Sequence, residues 1–238
     1  LIVLLLVILL IGKNKEFGYY FHLKRSYIVR IIRTGVTPFG IYIAPSITLI
    51  FTNLQCLKYG GDAVVASYAV ISYIVFPVLS ILGGVGDGTQ PLISYYYGAK
   101  KEAELRQIRK IAHGGLIILS LIATMVTLLL ANYIAIWFGL SVEATSYFVV
   151  GMRISGLAFL GQAFTKFNGV YLNATMRQKT AVILTYAESL LINPIMLFTL
   201  PMVGGVLGIW FAPLMTAVVI LGMYKWKESR QEHEFIKH

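Results

Sequence analysis

Arg153, Lys166 and Glu188 are ionisable side chains set inside stretches that are otherwise apolar. A Lys, Arg or Asp at the centre of a hydrocarbon layer costs roughly 2.5 to 3.5 kcal/mol on insertion scales, so each needs a partner or water. Lys166 and Glu188 flank the turn Asn173 to Lys179, and at 1.5 Å per helical residue both lie roughly 15 to 18 Å deep on antiparallel helices. The spacing predicts an intramembrane ion pair; separate snorkelling of the two side chains to water is the alternative. Glu188 is also the one carboxylate placed to exchange a proton within the layer. Arg153, nearer an outer helix end, reads as an interfacial anchor.

Neutral polar side chains form two further patterns. Tyr42, Ser46 and Asn53 are spaced to share one helical face, and Ser155, Gln162, Lys166 and Asn173 do the same. Such faces either line a cavity or hydrogen-bond neighbouring helices, the latter worth about 0.6 kcal/mol per contact. The single Cys56 and the scattered His22, His113, His233 and His238 offer no metal-ligand spacing, and no cofactor is expected. One carboxylate and one lysine at depth are too few for an embedded enzyme, which would need convergent nucleophiles or acid–base pairs.

The elements that position these groups follow from composition. Of 238 residues, 58% are hydrophobic and 13% charged, with mean hydropathy +0.76, more apolar surface than a soluble domain of this size can bury. Stretches of roughly 20 apolar residues, the length that crosses about 30 Å of hydrocarbon, predict six spans: Thr34 to Leu57, Ala63 to Val85, Ile111 to Asn132, Ala144 to Leu172, Thr180 to Leu200 and Val206 to Tyr224. Ahead of them the apolar residues 1–12 read as the end of a helix already begun. Residues 13–33 form a basic connection, either an interfacial helix or a solvated linker. Residues 34–224 make a six-helix lobe and 225–238 a tail. Pro38, Pro45, Pro77, Pro194 and Pro213 fall inside spans and predict bends.

The net charge of +10 could suit nucleic acid, but its placement decides against that. Of the 20 Lys and Arg, 17 sit in alternate connections and the tail, while the intervening loops hold only Lys58. By the positive-inside rule the basic loops and the C-terminus are expected to be cytoplasmic, in a multi-pass protein of the plasma membrane, here read as a bacterial inner membrane.

The most distinctive segment runs from Gly84 to Lys101, GVGDGTQPLISYYYGAKK. A phosphate-binding loop would need a preceding strand and a Lys at a helix N-terminus, and neither is present. Gly88, Gln90, Pro91, Tyr95, Tyr97 and Gly98, followed by Ala99 and Lys100, resemble the signature of MATE (multidrug and toxic compound extrusion) transporters. Gly35 to Pro38, Tyr59 to Asp62 and Met152 to Ile154 extend that resemblance to the second half of MepA-type members. Asp87 and Tyr96 depart from it, standing where an amide and an Asn are usual. The span-one and span-four positions at which some branches carry a carboxylate hold none here.

The resemblance implies an all-α fold: a six-transmembrane-helix lobe of a twelve-helix transporter, preceded by a truncated helix. It implies a cation-coupled antiporter, driven by H+ or Na+, that exports drugs or toxic small amphipathic compounds, often cationic. Its partners would be the lipid bilayer and a missing N-terminal lobe. Tyr42, Ser46, Asn53 and Gln162 are then candidate cavity residues, and Lys166 and Glu188 the coupling pair. A flippase for lipid-linked saccharides of the same superfamily, or a half-size or nonfunctional membrane subunit, is the alternative.

Overall fold

The computed structural model describes residues 25–236, with side chains at 29, 39 and 43 and throughout 45–228. The expected helix end at 1–12 and residues 13–24 of the expected connection lie outside the described residues. The chain divides into two compact units, Leu1–Phe39 and Gly40–His238. In the first, residues 25–39 are helical. The second holds the lobe.

Among the described residues all regular structure is helical, and five helices are long and apolar enough to cross a membrane. They are drawn from α1 (Arg25–Gly98), α2 (Glu102–Trp137), α3 (Val142–Ala174), α4 (Gln178–Tyr186) continuing through a π-helical segment (Ala187–Ile192) into α5 (Asn193–Gly204), and α6 (Val206–Ile236). Six spans were expected, and the difference lies in α1. Its apolar part, Pro45–Gly98, has 54 residues, which as one straight rod would reach about 80 Å, far beyond a bilayer.

Gly61 resolves this. Its φ of 63° and ψ of −159° interrupt the helix in a region open essentially to glycine alone. Residues on either side then pack together: the Tyr68 and Thr52 side chains, sixteen positions apart, come within interaction range, and Cys56, Val64 and Tyr68 are buried in one cluster. Two residues sixteen apart on a straight helix would stand about 24 Å from each other. Residues 40–60 and 62–98 are therefore two arms; the second expected span falls on the second arm, and the first expected span falls on the first arm from residue 40 onward, its residues 34–39 belonging to the other unit.

The helices outrun the expected spans. The second arm continues to Gly98 and α2 begins at Glu102, nine residues before the apolar stretch. Periodicity locates hydrocarbon, whereas a helix may extend into the polar interface because its backbone bonds remain satisfied there.

The axis of the lobe is α3. Half of its apolar window is buried, more than in any other span, and it packs on α2, α4 and α6. One cluster around Phe148, Met152, Ile71 and Trp210 fills one end, and a second around Phe159, Phe167, Leu82 and Leu116 fills the other. Small residues allow the approach: a Cβ on Gly151 would meet Ile71 and Trp210 within 3.0 Å, and one on Gly86 would stand 3.3 Å from Val170. Ser141 caps α3, its hydroxyl accepting from the Ala144 N–H at 3.2 Å. On α2, Ile118, Leu121, Ile122, Met125 and Leu129 are exposed, an apolar face suited to lipid tails.

The Gly61 break yields a direct test. Gly61→Val should destabilise the folded protein by about 1 to 3 kcal/mol, the usual cost of a strained backbone position. Thermal unfolding in detergent measures it, with Gly83→Val, in open space on the second arm, as the comparison. Equal stabilities would contradict the assignment.

Candidate functional site

Pro194 cannot donate to the turn before it, and its ring would clash with the carbonyl four residues earlier. The chain accommodates it by widening over Ala187–Ile192 into a π-helical turn. There the Asn193 N–H donates to the Glu188 carbonyl, an i to i−5 bond. Such turns rotate side chains off the regular helical face and recur at functional positions. Glu188 is the second residue of this one. Beside it the Ser189 hydroxyl donates to the Thr185 carbonyl at 2.6 Å, and Asn193 Oδ1 is buried without a hydrogen-bond partner.

The hairpin of α3 and α4 brings residue 165 level with residue 188. Thr165 Oγ1 lies 3.5 Å from Glu188 Oε1 and also donates to the Gln162 carbonyl at 2.9 Å. A hydroxyl has one hydrogen, so the shorter bond leaves the carboxylate weakly served. Lys166 is exposed on α3, and its Nζ donates to the Leu79 carbonyl on the second arm at 3.5 Å. Close packing at Gly86, where the α3 backbone at Phe167 lies 3.8 Å from a would-be Cβ, keeps that arm within reach.

Among the described residues the ion pairs within 4.0 Å are Arg106–Glu102 and Arg109–Glu228, so Lys166 and Glu188 do not make the direct contact their spacing suggests. The reason is the partner each finds nearer, a carbonyl for the ammonium and a hydroxyl for the carboxylate. They remain close enough to interact electrostatically, and Asp87 also acts on Lys166. The arrangement is a cation within electrostatic reach of two carboxylates, with a backbone carbonyl serving the ammonium and a hydroxyl the Glu188 carboxylate.

The other candidate residues are distributed around this group. Gln162 is half-buried one turn before Lys166. Ser46 is exposed and Asn53 half-buried on the first arm, which packs on the opposite cluster through Leu49 and Phe51. The side chain of Tyr42 lies outside the described residues. Gly88, Gln90, Pro91, Tyr95, Tyr97 and Gly98 are exposed on the helical end of the second arm, and Tyr95 and Tyr96 meet edge to face at 5.2 Å. The segment is helix rather than phosphate loop up to the turn at Lys100, whose φ is 56°. Arg153 is exposed on α3.

Two groups escaped the sequence reading. Asp87 looked like a polar change at an aqueous edge; its proximity to Lys166 depends on how α3 crosses the second arm. The second is an inter-helix tie: Arg109 Nη1 donates to Glu228 Oε1 at 2.9 Å, Nη2 donates to the Tyr224 hydroxyl at 3.3 Å, and the guanidinium lies 4.8 Å from the Tyr171 ring centroid. It joins α2, α3 and α6 across 119 residues of sequence, with nothing local to announce it.

The fold and its internal charges define a polytopic α-helical membrane protein. The family model for MatE matches residues 40–199, more than half of the chain, and the chain belongs to that family. It is 25% identical over 198 residues to the multidrug export protein MepA of Staphylococcus haemolyticus (strain JCSC1435), covering 82% of this chain and 42% of the relative. Among solved structures, the outward-facing conformation of a multidrug resistance MATE family transporter of the MOP superfamily matches with TM-score 0.78 at 18% identity, covering 88% of this chain and 48% of that one. An inward-facing conformation of a MATE family transporter of the same description matches with TM-score 0.75 at 18% identity, covering 90% and 50%. The chain thus spans about half the length of the proteins it matches.

The tie at Arg109 is open to a double-mutant cycle. Arg109→Gln and Glu228→Gln should each lower thermal stability, with a coupling of about 1 to 2 kcal/mol, as expected for a half-buried charged hydrogen bond. Strictly additive losses would show that the contact contributes nothing.

Proposed function

We propose that this chain is one lobe of a cation-coupled exporter of small amphipathic, cationic compounds, working by alternating access against a second lobe. The observation that carries the reading is the group Lys166, Glu188 and Asp87, set within a MatE-family lobe and served by neutral oxygen atoms. A structural lysine at such depth would be expected to sit directly on its carboxylate. One held off its carboxylate by other partners is ready to exchange them.

The coupling step follows from the Thr165 hydroxyl. With a proton on Glu188, the acid donates to Thr165 Oγ1, that hydroxyl keeps its bond to Gln162, and Lys166 rests on the Leu79 carbonyl. Without the proton, the carboxylate competes for the hydroxyl and draws Lys166 toward it, shifting the second arm relative to α3. This scheme favours H+ over Na+ as the coupling ion. Tyr42, Ser46, Asn53 and Gln162 would face substrate in the cavity between the lobes. The similar match to outward- and inward-facing structures supports a lobe that moves as one body.

On this reading residues 34–224 are the membrane lobe of a multi-pass plasma-membrane protein. The basic ends and residues 225–238 face the cytoplasm, and the protein carries out no covalent chemistry. Binding substrate in one state and releasing it in the other supplies the work of transport through their difference in affinity.

A drug-efflux assay in cells or proteoliposomes carrying the full transporter tests this. Glu188→Gln should abolish gradient-driven export, and in thermal unfolding Lys166→Ala should cost more than the double change Lys166→Ala/Glu188→Gln, because removing Glu188 relieves the charge that Lys166→Ala leaves uncompensated. Collapse of the pH gradient should stop export by the unaltered protein. Additive losses of stability, or export indifferent to the pH gradient, would overturn the coupling scheme.

A further inference from the structure

At the end of the lobe that carries the Arg109 tie, a small cleft opens between the C-terminus of α3, the start of α4 and α6. It is lined by Leu172, Arg177, Thr180, Tyr224, Lys227 and Glu228. Its floor is apolar and sealed, since Leu172, Ala181, Leu184 and Tyr224 form one buried cluster. Its walls are polar. The turn into α4 fixes Arg177 at the mouth: Met176 has a φ of 60°, and the Arg177 N–H donates to the Leu172 carbonyl at 2.8 Å.

The charges do not balance. Glu228 is the one acidic group in the lining, and its Oε1 is taken by Arg109 at 2.9 Å. That leaves Arg177 and Lys227 facing the cleft as two positive charges without an acid of their own in the lining. Tyr224 accepts from Arg109, so its own proton is available to donate, and Arg177 stands near enough to act on it electrostatically. The enclosed volume is only about 10 Å³, so a phosphate diester would rest at the mouth, between the two cations and the two hydroxyls.

Exposed apolar side chains lie near it in the chain: Met176 and Trp226 adjoin Arg177 and Lys227 in sequence, Ile183 follows Thr180 by one helical turn, and Trp is a residue of the membrane interface. A free phosphate would gain nothing from that surface, whereas a lipid would lay its acyl chains along it. We propose that this cleft binds the headgroup of an anionic glycerophospholipid, with Arg177 and Lys227 on the phosphate and Thr180 and Tyr224 donating to its oxygens. The inference rests on the membrane reading of the chain and is independent of transport. Bound there, the lipid would bridge α3, α4 and α6 where the Arg109 tie already joins α2 to α6.

Native mass spectrometry of the full protein in detergent, titrated with phosphatidylglycerol or phosphatidylcholine, tests this whichever way the protein faces in a membrane. The unaltered protein should retain one phosphatidylglycerol per chain at concentrations where phosphatidylcholine is lost. Arg177→Gln/Lys227→Gln should weaken that retention roughly 30-fold, the effect of two basic contacts near a charged surface. Arg177→Lys/Lys227→Arg and the charge-matched control Lys100→Gln/Lys101→Gln should keep it. Equal retention of both lipids by the unaltered protein, no change in the glutamine variant, or equal loss in the control would overturn the proposal. So would displacement of the lipid by an equal concentration of glycerol phosphate, which would assign the site to a soluble anion.

Discussion

Lys166 is exposed on α3 and Glu188 half-buried on the π-helical turn, and each takes its hydrogen-bond partner from a neighbouring helix. Lys166 depends on a backbone carbonyl of a neighbouring helix, which is available only because the second arm of α1 lies close against α3. Glu188 depends on a side chain of α3, which it meets because the α4 helix widens by one π-helical turn. Neither partner is an opposite charge. The lobe therefore holds both ions without locking them together as a direct salt bridge would.

That solution relies on close approach. Around α3, glycines and alanines stand where large side chains would separate the helices, and the bulky residues Phe148, Phe159 and Phe167 fill the clusters on either side. In lipid there is little hydrophobic gain from pressing helices together, so van der Waals fit and inter-helix hydrogen bonds supply the association. The Ser67 hydroxyl donating to the Ala144 carbonyl at 2.7 Å and Thr124 donating to the Gly156 carbonyl at 2.7 Å are of this kind. The Arg109 tie does the same work with charge at one end of the lobe, where its half-exposed position lowers the cost of desolvation.

Much of this was legible in the sequence because hydrocarbon imposes a coarse rule on composition. Runs of apolar residues located the helices, and the Gly88 to Gly98 motif indicated the family to which the chain belongs. The rest depended on three-dimensional crossing. Gly61 was one glycine among 22, and nothing in its neighbours marks it as the residue that takes the glycine-only conformation. Pro194 announced a distortion but not its form, so the π-helical turn that carries Glu188 was invisible. Helix spacing across the α3–α4 hairpin set residues near 166 opposite residue 188, and Thr165 lies 3.5 Å from Glu188. It could not show that a carbonyl and a hydroxyl would be nearer to each charge than the charges are to each other. Asp87 joined the group for the same reason.

The central claim is that a polar face of this lobe borders water at membrane depth, as an export pathway requires. Cys56 is the sole cysteine and is buried, so single cysteines introduced elsewhere can be read against a low background. Labelling of Ser46→Cys, Asn53→Cys, Gln162→Cys and Ile122→Cys by a membrane-impermeant thiol reagent is the most direct measurement. A substrate cavity requires the first three to react, with substrate slowing their reaction, while Ile122→Cys on the lipid face of α2 stays unlabelled. Failure of all three polar positions to react, as at Ile122, would mean that the face is packed against protein or lipid and that this lobe lines no pathway.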